Sequence, residues 1–385
     1  MSLSAPLTNT QALLALNGLP RLGPVTLRRL LDEFNNDPNA ILNASTSALR
    51  RVERIGEDTA DIIRNWEKHF NLAREEERLA KAGASFVAVT DSDYPKPLKK
   101  IYDPPLGLYM IGPLRPAIKT VAIVGSRRTT LYGRSIAKRL AQDLVRIGFC
   151  VVSGLARGID TDAHQGVVDV GGDTAAVLGC GVDIVYPPEN IELYKAIAER
   201  GVLISELPFG TRASKTTFPM RNRLIAGMAA ATIVVESDTS GGSMITARFT
   251  MEQNRPLFAV PGRIDQPSSA GCHQLIRDGA ILLTSIDDLI SELAYGGTQQ
   301  QELMLEDDSG VSMTMSDEQR DNQLKDLNED ERTVFTPLVD GDALTRDALI
   351  ARTGLPAHAV SATLLMLELK RRVGKRADGA YERRM

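Results

Sequence analysis

Residues 120–158 read TVAIVGSRRTTLYGRSIAKRLAQDLVRIGFCVVSGLARG, and this stretch decides the fold. It opens with Thr120–Val124, a continuous apolar run that is typical of a strand covered by helices on both faces of a sheet. A glycine turn follows, and apolar residues after Gly133 then recur at helical spacing. A second apolar run over 149–153 ends in another glycine turn. The stretch therefore predicts a strand, a helix and a second parallel strand, with a phosphate-friendly loop at the carboxyl end of each strand.

The same alternation of apolar runs and helical patterns continues to about residue 293. Seven runs are predicted strands: Val121–Val124, Cys150–Val152, Ala175–Leu178, Val202–Ile204, Thr232–Val235, Leu257–Val260 and Ile281–Leu283. Parallel neighbours require crossovers, and crossovers are normally helices, so the pattern predicts an α/β fold with a doubly wound, mostly parallel sheet. The loops GSRRTT, SGLARG, GCGVD, SELPFGT, ESDTSGGS and PGRID then fall on one rim, which is the usual ligand edge.

The sequence divides into four segments. Residues 1–83 have a helical pattern and form two helix-turn-helix pairs that resemble helix-hairpin-helix, or SAM-like, units. Residues 84–295 carry the predicted sheet, and residues 296–330 are polar and acidic without periodicity, which indicates a flexible linker. Residues 331–385 predict three helices and a two-stranded wing, an arrangement similar to a winged helix. The sheet domain is thus predicted to lie between a small helical domain and a winged-helix domain.

The net charge of −4 conceals an uneven distribution of charged residues. Residues 296–332 hold eleven acidic and three basic residues, whereas residues 111–295 hold eighteen acidic and nineteen basic residues. The acidity is therefore concentrated in one short segment. The sheet domain remains free to carry a local basic groove.

The roles of the two flanking domains stay open at this point. In DNA-binding helix-hairpin-helix units the turn reads G-x-G and its amides hold a phosphate, but Arg21 and Arg54 replace the first glycine here. That replacement favours a packing or protein-contact role for the first domain. The third helix of the winged-helix domain is mostly apolar and basic only at its end, so it fits a protein contact as well as DNA.

Several classes of protein are excluded. No apolar run approaches the length of a membrane span and the N-terminus lacks a signal-peptide pattern, so we expect a cytoplasmic protein with no membrane partner. The three cysteines and four histidines show no ligand spacing, which predicts neither disulfides nor a metal site. The first loop reads G-S-R-R-T-T rather than G-x-G-x-x-G, and no Walker A string occurs. No cofactor is therefore predicted.

The chemistry is expected in strings that follow the strands. The first loop offers a hydroxyl, helix N-terminal amides and two guanidinium groups, which together make a cradle for backbone phosphates. The string GTRASKTTFPMRNRLIAG, over 210–227, sets cations beside an aromatic ring. Single-stranded nucleic acid requires this combination, since phosphates need charge and unstacked bases need a flat face. The string ESDTSGGS places small residues before a helix, another N-terminus suited to an anion.

The candidate residues come from these strings and from SGLARG. The predicted DNA-binding set is Gly125, Ser126, Arg127, Arg128, Ser153, Gly154, Arg157, Gly158, Lys215, Phe218, Arg221, Asn222, Arg223, Ser240, Gly241, Gly242 and Ser243. Structural roles are the alternative, because Phe218 can belong to the core, the basic residues to a solvated helix face and the glycines to turns. No catalytic residue is predicted.

Taken together, VAIVGSRRTTLYG, VVSGLARGIDTDAH, FPMRNRLIAG and TSGGSMITA, in this order and spacing, resemble the DNA-processing protein A family, also called DprA or Smf. The resemblance covers the sheet domain nearly completely, and the flanking domains match the longer members of that family. It implies an extended Rossmann fold that binds single-stranded DNA without cleaving it. By the same resemblance, the family's G-S-R loop maps to 125–127, its binding lysine to Lys215, its base-contacting aromatic to Phe218 and its F-x-x-R-N-R motif to 218–223.

The resemblance further implies a role and partners. Members of the family protect incoming strands during natural transformation and load the RecA recombinase onto them past single-strand-binding protein, so RecA and that protein are the expected partners. The resemblance also implies a homodimer through the end of the sheet domain, Cys272 to Ile290, where no later sheet element covers an apolar strand. The alternative is an edge strand closed by its own helix.

A competing hypothesis makes the protein an enzyme. The S-G-G-S loop is also similar to that of the lysine-decarboxylase-like nucleotide hydrolases, whose P-G-G-x-G-T-x-x-E motif places a catalytic glutamate on the following helix. Aligning Gly241 and Gly242 with that motif puts Arg248 where the glutamate belongs. Hydrolysis therefore has no named residues to perform it, and the sequence predicts a binding protein rather than an enzyme.

Overall fold

The computed structural model describes residues 7–113, 119–294, 327–339, 344–370, 372–375 and 380–383. The chain divides into two compact units, one up to residue 300 and one from residue 301 onward. The predicted linker, residues 296–330, lies outside the described residues as far as residue 326. None of the helices in the described ranges is both long and apolar enough to cross a membrane.

Short helices form the N-terminal domain, as the sequence pattern predicts. They are α1 (Asn9–Gly18), α2 (Pro24–Glu33), α3 (Pro38–Leu42), α4 (Thr46–Leu49), α5 (Glu57–Arg64), α6 (Trp66–His69) and α7 (Leu72–Ala82). Their apolar faces share one core, in which Leu16, Leu30 and Ile63 are fully buried. The domain is therefore held together by packing between helices that are individually too short to be stable.

The two turns that resemble helix-hairpin-helix turns keep a glycine-like backbone without glycine. Arg21 and Arg54 adopt left-handed conformations, with φ of 64° and 67°, which glycine reaches at the lowest cost. The guanidinium of Arg21 pairs with Asp58 at 3.3 Å, and that of Arg54 lies 3.6 Å from Glu53. Both arginines therefore have acidic partners in these turns.

A nine-stranded sheet forms the centre of the first unit. Its strands are β1 (Ser85–Ala88), β2 (Gly107–Ile111), β3 (Thr120–Val124), β4 (Cys150–Ser153), β5 (Thr174–Val177), β6 (Val202–Ser205), β7 (Ala231–Val234), β8 (Leu257–Ala259) and β9 (Ile281–Leu282). The strand order is β1-β2-β6-β5-β4-β3-β7-β8-β9. The seven strands from β3 to β9 are all parallel to one another. β2 pairs antiparallel with β6, and β1 pairs antiparallel with β2, at one edge of the sheet. The seven predicted strands and the mostly parallel sheet are confirmed, each strand within one residue.

Helices cover both faces of the sheet. They are α8 (Lys96–Lys99), α9 (Leu131–Arg146), α10 (Ile159–Asp169), α11 (Ile191–Arg200), α12 (Thr217–Met228), α13 (Gly242–Glu252) and α14 (Ala270–Arg277). Alternate residues of β3 point to opposite faces. Val121 and Ile123 pack with the helices α9 and α10, whereas Ala122 and Val124 pack with α12 and α13. The sheet is therefore doubly wound, as predicted.

The N-terminal domain holds the loop that follows β6. The carboxylate of Glu75, buried on α7, accepts a hydrogen bond of 2.9 Å from the amide of Phe209, and Arg78 donates to the Phe209 carbonyl at 3.3 Å. Asn17 donates to the carbonyl of Glu206 at 2.9 Å. The first domain thus has a packing role, and it fixes the start of the basic string over 210–227.

The far edge of the sheet is formed by β9. Leu283 and Leu289 are buried in the domain's own core with α9, because the helical residues 286–294 close over β9. Within the described residues no later strand of the sheet covers β9, as expected, and its own helix closes over it, as in the alternative of an edge strand. The homodimer stays a prediction. Leu282 and Ile290 nevertheless stay partly open to solvent, at 45% and 40% exposure.

The second unit is a winged helix, as predicted. Its described elements are α15 (Glu329–Val339), β10 (Leu344–Thr345), α16 (Arg346–Thr353), α17 (Ala357–Leu369), β11 (Val373–Lys375) and β12 (Ala380–Arg383). The three strands pair antiparallel in the order β10-β12-β11. Phe335, Leu349 and Leu364 pack in a core of their own. The unit therefore has its own hydrophobic core, although α17 also exposes Leu365 and Met366 to solvent.

We expect His164 to make the first unit less stable as the pH falls below about 6.5. His164 is fully buried on α10, with Nδ1 2.7 Å from the hydroxyl oxygen of Thr174. Burial, helped by the nearby Arg221 guanidinium, lowers the pKa of His164 to about 3. Above pH 6.5 His164 is neutral in both the folded and the unfolded protein. Below pH 6.5 His164 binds a proton in the unfolded chain but stays neutral in the folded protein. The free energy of unfolding should therefore fall by about 2 kcal/mol between roughly pH 8 and pH 5.

Urea unfolding at a series of pH values measures this effect. His164→Gln removes the titrating group, and His69→Gln, at an exposed position on α6, is the matched control. The test compares how steeply the free energy of unfolding changes with pH in the parent protein and in His164→Gln. All other titrating groups are the same in these two proteins, so a difference in slope comes from His164. Equal slopes in these two proteins would show that His164 is not held neutral by the fold.

Candidate nucleic-acid interface

The strand order reverses at β3, and a crevice opens there. From β3 the chain proceeds outward through β4, β5 and β6, then returns to add β7, β8 and β9 on the other side of β3. α9 follows β3 onto one face and α13 follows β7 onto the other. The loops after β3 and β7 therefore diverge, which leaves a crevice at the carboxyl ends of the strands. A cavity of about 280 Å³ occupies it.

The cavity brings the four predicted strings together, with SGLARG contributing Ala156. The predicted residues that line it are Gly125, Ser126, Arg127, Arg128, Arg221, Asn222, Gly241, Gly242 and Ser243. The remaining lining residues are Val124, Ala156, Asp160, Ile225, Asp238 and Thr246. Strings far apart in the sequence thus meet because the carboxyl ends of parallel strands share one edge of the sheet.

Glu236, which follows β7, shapes the loop after β3. Its carbonyl accepts a hydrogen bond of 2.6 Å from the amide of Ser126, and its buried carboxylate accepts bonds from the amide and hydroxyl of Thr130 at 3.0 and 2.5 Å. Thr130 is also the N-cap of α9, since its hydroxyl accepts from the amide of Gly133. The loop that carries Arg127 and Arg128 is therefore anchored at both ends.

Two glycines of SGLARG allow backbone segments to approach closely. A Cβ atom at Gly154 would lie 1.8 Å from Nη1 of Arg221, and one at Gly158 would lie 2.2 Å from the carbonyl oxygen of Ser126. Gly158 also has φ of 81°, in the region that favours glycine. These two predicted residues therefore act through close packing of the loops rather than through side chains.

A buried charge pair lies beneath the cavity. The Asp160 carboxylate accepts hydrogen bonds from the amides of Gly154 and Ala156 at 3.1 and 3.4 Å. Burial raises the pKa of Asp160, and the nearby Arg221 guanidinium opposes that rise. Burial likewise lowers the pKa of Arg221, whose side chain donates to the carbonyl of Val177. Arg221 therefore mainly stabilises the floor of the crevice through Val177 and Asp160, although it also lines the cavity.

Exposed cations belong to the loop after β3, which lines the cavity, and to the segment before α12. Among the described residues, the charged groups of Arg128, Arg212 and Lys215 make no hydrogen bond or ion pair. Arg127 is also exposed and contacts only an aromatic ring, whereas Arg157 pairs with Glu189, with Nη2 3.1 Å from Oε2. Arg127 and Arg128 thus offer guanidinium groups to an anion at the cavity, and Arg212 and Lys215 offer exposed charges in the segment that leads into α12.

Aromatic rings lie between these cations. Phe218 is half-buried at the start of α12, and the Arg127 guanidinium carbon lies 4.9 Å from its ring centroid. The Tyr186 ring centroid lies 5.4 Å from that of Phe218, and Arg157 lies 6.0 Å from the Tyr186 centroid. We call Arg127, Phe218 and Tyr186 the aromatic cluster. Phe218 is therefore only partly buried, and its contact with a base stays a prediction.

The third string forms the opposite wall. α13 begins at Gly242 without a side-chain cap, so its first amides are open to a ligand. Ser240 bonds Asp238 through its amide and hydroxyl, and the buried Ser243 donates to the hydroxyl of Ser237. The carbonyl of Gly242 accepts a hydrogen bond of 3.3 Å from the side-chain Nδ2 of Asn222. The two serine hydroxyls already have hydrogen-bond partners. In this string, the backbone at Gly241 and Gly242 is therefore the part available to bind a phosphate.

Two predicted contact residues are placed differently from the prediction. Arg223 is buried and forms ion pairs with Glu206, at 2.5 Å, and with Asp103, at 3.3 Å. Ser153 is also buried, and its hydroxyl donates to the carbonyl of Ile123 at 2.6 Å. Because these polar groups already have partners inside the protein, neither side chain is available to a phosphate.

Sequence reasoning missed four residues of this region. Asp160 and Glu236 hold the loops, Tyr186 completes the aromatic cluster, and Arg212 adds an exposed cation. Arg212 could have been found, since it lies in the basic string beside Lys215. The other three gave no usable signal, because their roles depend on contacts between distant parts of the chain.

Phe218→Ala is expected to weaken binding of single-stranded DNA by about 1–3 kcal/mol, because a base would lose its stacking partner. The melting temperature should change little, since Phe218 is half-buried and truncation of a core phenylalanine would instead cost about 3–5 kcal/mol of stability. Both quantities can be measured on one sample. Phe249→Ala is the matched control, because Phe249 also lies under an arginine, Arg248 at 5.8 Å, but away from the cavity lining. A large loss of stability with unchanged affinity would contradict the prediction, because it would show that Phe218 has a structural role in the core.

The arrangement suits an extended anion rather than a metal ion. Within the described ranges no three histidine, cysteine, aspartate or glutamate side chains are grouped as a metal would need. Open helix amides and unpaired cations instead surround a cavity with aromatic rings at its edge. Fold and site together define an α/β protein with a cation-lined crevice at its topological switch point.

The chain belongs to the DNA recombination-mediator protein A family, the DprA or Smf family, whose profile matches residues 85–294. The profile of the DprA winged helix domain matches residues 318–379. The family resemblance predicted from the sequence is thereby confirmed, and so is the winged helix.

Relatives and solved structures agree with this membership. The chain is 34% identical to protein Smf of Synechocystis over 96% of its own length and 98% of that protein. It is 34% identical to the DNA processing protein DprA of Bacillus subtilis over 71% of this chain and 92% of that protein. The X-ray structure of DNA processing protein A from Streptococcus pneumoniae has a TM-score of 0.64 and 32% identity, and covers 75% of this chain and 99% of that one. The corresponding protein of Helicobacter pylori, whose structure concerns its single-stranded DNA binding mode, has a TM-score of 0.50 and 30% identity, with 55% and 97% covered.

Proposed function

We propose that this protein binds single-stranded DNA in the crevice at the switch point, with phosphates on the exposed cations and bases beside the aromatic cluster. The observation that carries the proposal is the cavity lined by Arg127 and Arg128, with the guanidinium of Arg127 against the ring of Phe218. Such a grouping attracts a polyanion and offers its bases a flat surface. The relative from Helicobacter pylori, whose structure concerns its binding of single-stranded DNA, supports the choice of ligand.

The biological role that we infer is DNA processing in natural transformation. The protein would protect incoming single strands and load the RecA recombinase onto them past single-strand-binding protein. Membership of a family described as recombination mediators, and relatives named as DNA processing proteins, support this role. RecA and single-strand-binding protein are therefore the proposed protein partners.

We also propose that the protein acts by binding and not by catalysis. In the hydrolases considered as the alternative, a glutamate on the helix after the glycines performs the reaction. Arg248 holds that position on α13, is exposed, and lies 3.5 Å from Glu252 one turn later. Incubation with nucleoside monophosphates would test the alternative, and release of free base would contradict the proposal.

A competition experiment tests the DNA-binding proposal. A labelled single strand bound to the protein is challenged with unlabelled single-stranded or double-stranded DNA of equal length. The single strand should compete far better, because unstacked bases can reach the aromatic cluster and paired bases cannot. Equal competition by the duplex would contradict the proposal. Loading is tested separately, by RecA-dependent ATP hydrolysis on strands coated with single-strand-binding protein, which should rise when this protein is added.

We propose that the protein is a homodimer through the edge of the sheet at β9. Leu282 and Ile290 are exposed apolar residues at this edge, and two crevices on one particle would raise avidity for a long strand. Leu282→Glu combined with Ile290→Glu should halve the mass measured by light scattering at micromolar concentration. Leu365→Glu, at an exposed site on α17, is the control and should leave the mass unchanged. A parent protein that is already monomeric would contradict the dimer.

A further inference from the structure

We propose that a second contact for single-stranded DNA lies beside the cavity, formed by Leu131, Tyr132 and Ile264, and that bases of nucleotides leaving the cavity pack there. We call these three residues the rim step. The inference rests on the proposed function and adds a path to it. The strand would run from the crevice, past Arg128, toward the loop after β8.

The exposure of these side chains is the first observation. Ile264 and Leu131 are the two most exposed large apolar side chains in the described parts of the chain, at 95% and 85%. Single exposed apolar residues are common and need no explanation. These two, however, belong to neighbouring segments, because the Tyr132 hydroxyl donates to the carbonyl of Pro261 at 3.1 Å. That bond ties the first turn of α9 to the loop that carries Ile264.

The rim step is also held rigid. Its α9 side is anchored by the Thr130 N-cap and by Glu236, which accepts from Thr130. On the other side, Arg263 and Asp265 flank Ile264 and pair with each other through two bonds of 2.9 and 2.7 Å. Tyr132 is half-exposed, and its hydroxyl bond restricts the orientation of the ring. A base can therefore pack there without first ordering the surface.

Continuity with the cavity indicates the occupant. Arg128 lines the cavity and precedes Leu131 by three residues, so the rim step begins within about 11 Å of it. Arg128 is unpaired among the described residues, whereas the charge of Arg263 is neutralised by Asp265. The surface thus presents one available cation followed by apolar groups. A strand with an anionic backbone and neutral, flat bases matches that order.

A protein partner fits this surface less well. A stable protein interface buries about 800 Å² on each partner, and the rim step consists of three side chains flanked by an ion pair. Stacking of one base on an aromatic ring, by contrast, needs only a single exposed ring face and is worth about 1–3 kcal/mol. The size of the step therefore favours a nucleotide.

Oligothymidylates of two lengths test the inference. One of about four nucleotides fills the cavity, and one of about sixteen extends beyond it. Leu131→Ser combined with Ile264→Ser should weaken binding of the longer strand by about tenfold, equal to 1.4 kcal/mol, and leave binding of the shorter strand within about twofold. Ile147→Ser combined with Ile191→Ser, at exposed sites elsewhere, is the matched control and should change neither affinity.

An abasic scan of the longer strand identifies the contact. Removing the base at one position beyond the cavity should weaken binding to the parent protein by about tenfold and weaken binding to the Leu131→Ser, Ile264→Ser variant much less, because only Tyr132 of the rim step remains there. Equal losses for both proteins, or no effect of the variant on the longer strand, would overturn the inference while the crevice remains the binding site. Failure of the parent protein to bind the shorter strand would instead overturn the proposed function, and the inference with it.

Discussion

Replacing Arg127 and Lys215 together by alanine is expected to lower the affinity for single-stranded DNA by about 100-fold. Both side chains are exposed, Arg127 at the cavity and Lys215 just before α12, and each bond between a charged group and a phosphate is worth about 1.5 kcal/mol or more. Two such losses correspond to about two factors of ten. The effect should be similar for all sequences, because phosphate contacts carry no base information.

The fold of this double variant should survive. Neither charged group has an ion pair with the described residues, so the melting temperature should stay within a few degrees of that of the parent. Arg64→Ala combined with Lys81→Ala changes the net charge equally at exposed sites on α5 and α7, and serves as the control. Fluorescence anisotropy with a labelled strand measures all three proteins. Equal loss in the control would mean that total charge, and not the crevice, governs binding.

Arg223→Ala is expected to lower the free energy of unfolding by about 3–5 kcal/mol. The Arg223 guanidinium is buried between Glu206 and Asp103, and its removal leaves the Glu206 carboxylate, which is 14% exposed, without that counter-charge. Burial already raises the pKa of Glu206, and the Arg223 charge opposes that rise. Denaturant unfolding measures the loss. The fraction that remains folded should bind single-stranded DNA with nearly the affinity of the parent.

Arg248→Ala provides the comparison for this prediction. Arg248 and Glu252 form an exposed pair on α13, and pairs of that kind contribute about 0.2–1 kcal/mol. A stable Arg223→Ala protein with a large loss of DNA affinity would restore Arg223 to the DNA-binding set predicted from the sequence. It would also show that the ion pairs with Glu206 and Asp103 open when DNA binds.

The strands and the position of the crevice could be predicted from the sequence. Parallel strands covered on both faces read as continuous apolar runs, so all seven could be found within one residue. The loops at their carboxyl ends had to share one rim, which put GSRRTT near TSGGS. These conclusions depend only on local patterns and on general rules of α/β topology.

Which basic side chains are exposed and which are buried in ion pairs could not be predicted from the sequence. Lys215 and Arg223 belong to the same basic string, yet α12 starts at the rim and passes into the interior, where every residue from Arg221 to Met228 is buried. The partner of Arg223 on the other side is Asp103, 120 residues away in the chain. Glu236 likewise acts on Thr130 across 106 residues. Such contacts form only when the chain folds, so residue spacing along the sequence does not predict them.

The salt dependence of single-stranded DNA binding tests the central claim most directly. A steep fall of the logarithm of affinity with the logarithm of salt concentration is expected for the parent protein, because cations at the crevice displace counterions from the strand. Each lost phosphate contact should reduce the slope by about 0.7, so the Arg127→Ala, Lys215→Ala variant should have a slope shallower by about 1.4. The control with Arg64 and Lys81 replaced should keep the parent slope. Identical slopes for the parent and the crevice variant would contradict the account, because they would mean that the strand binds elsewhere.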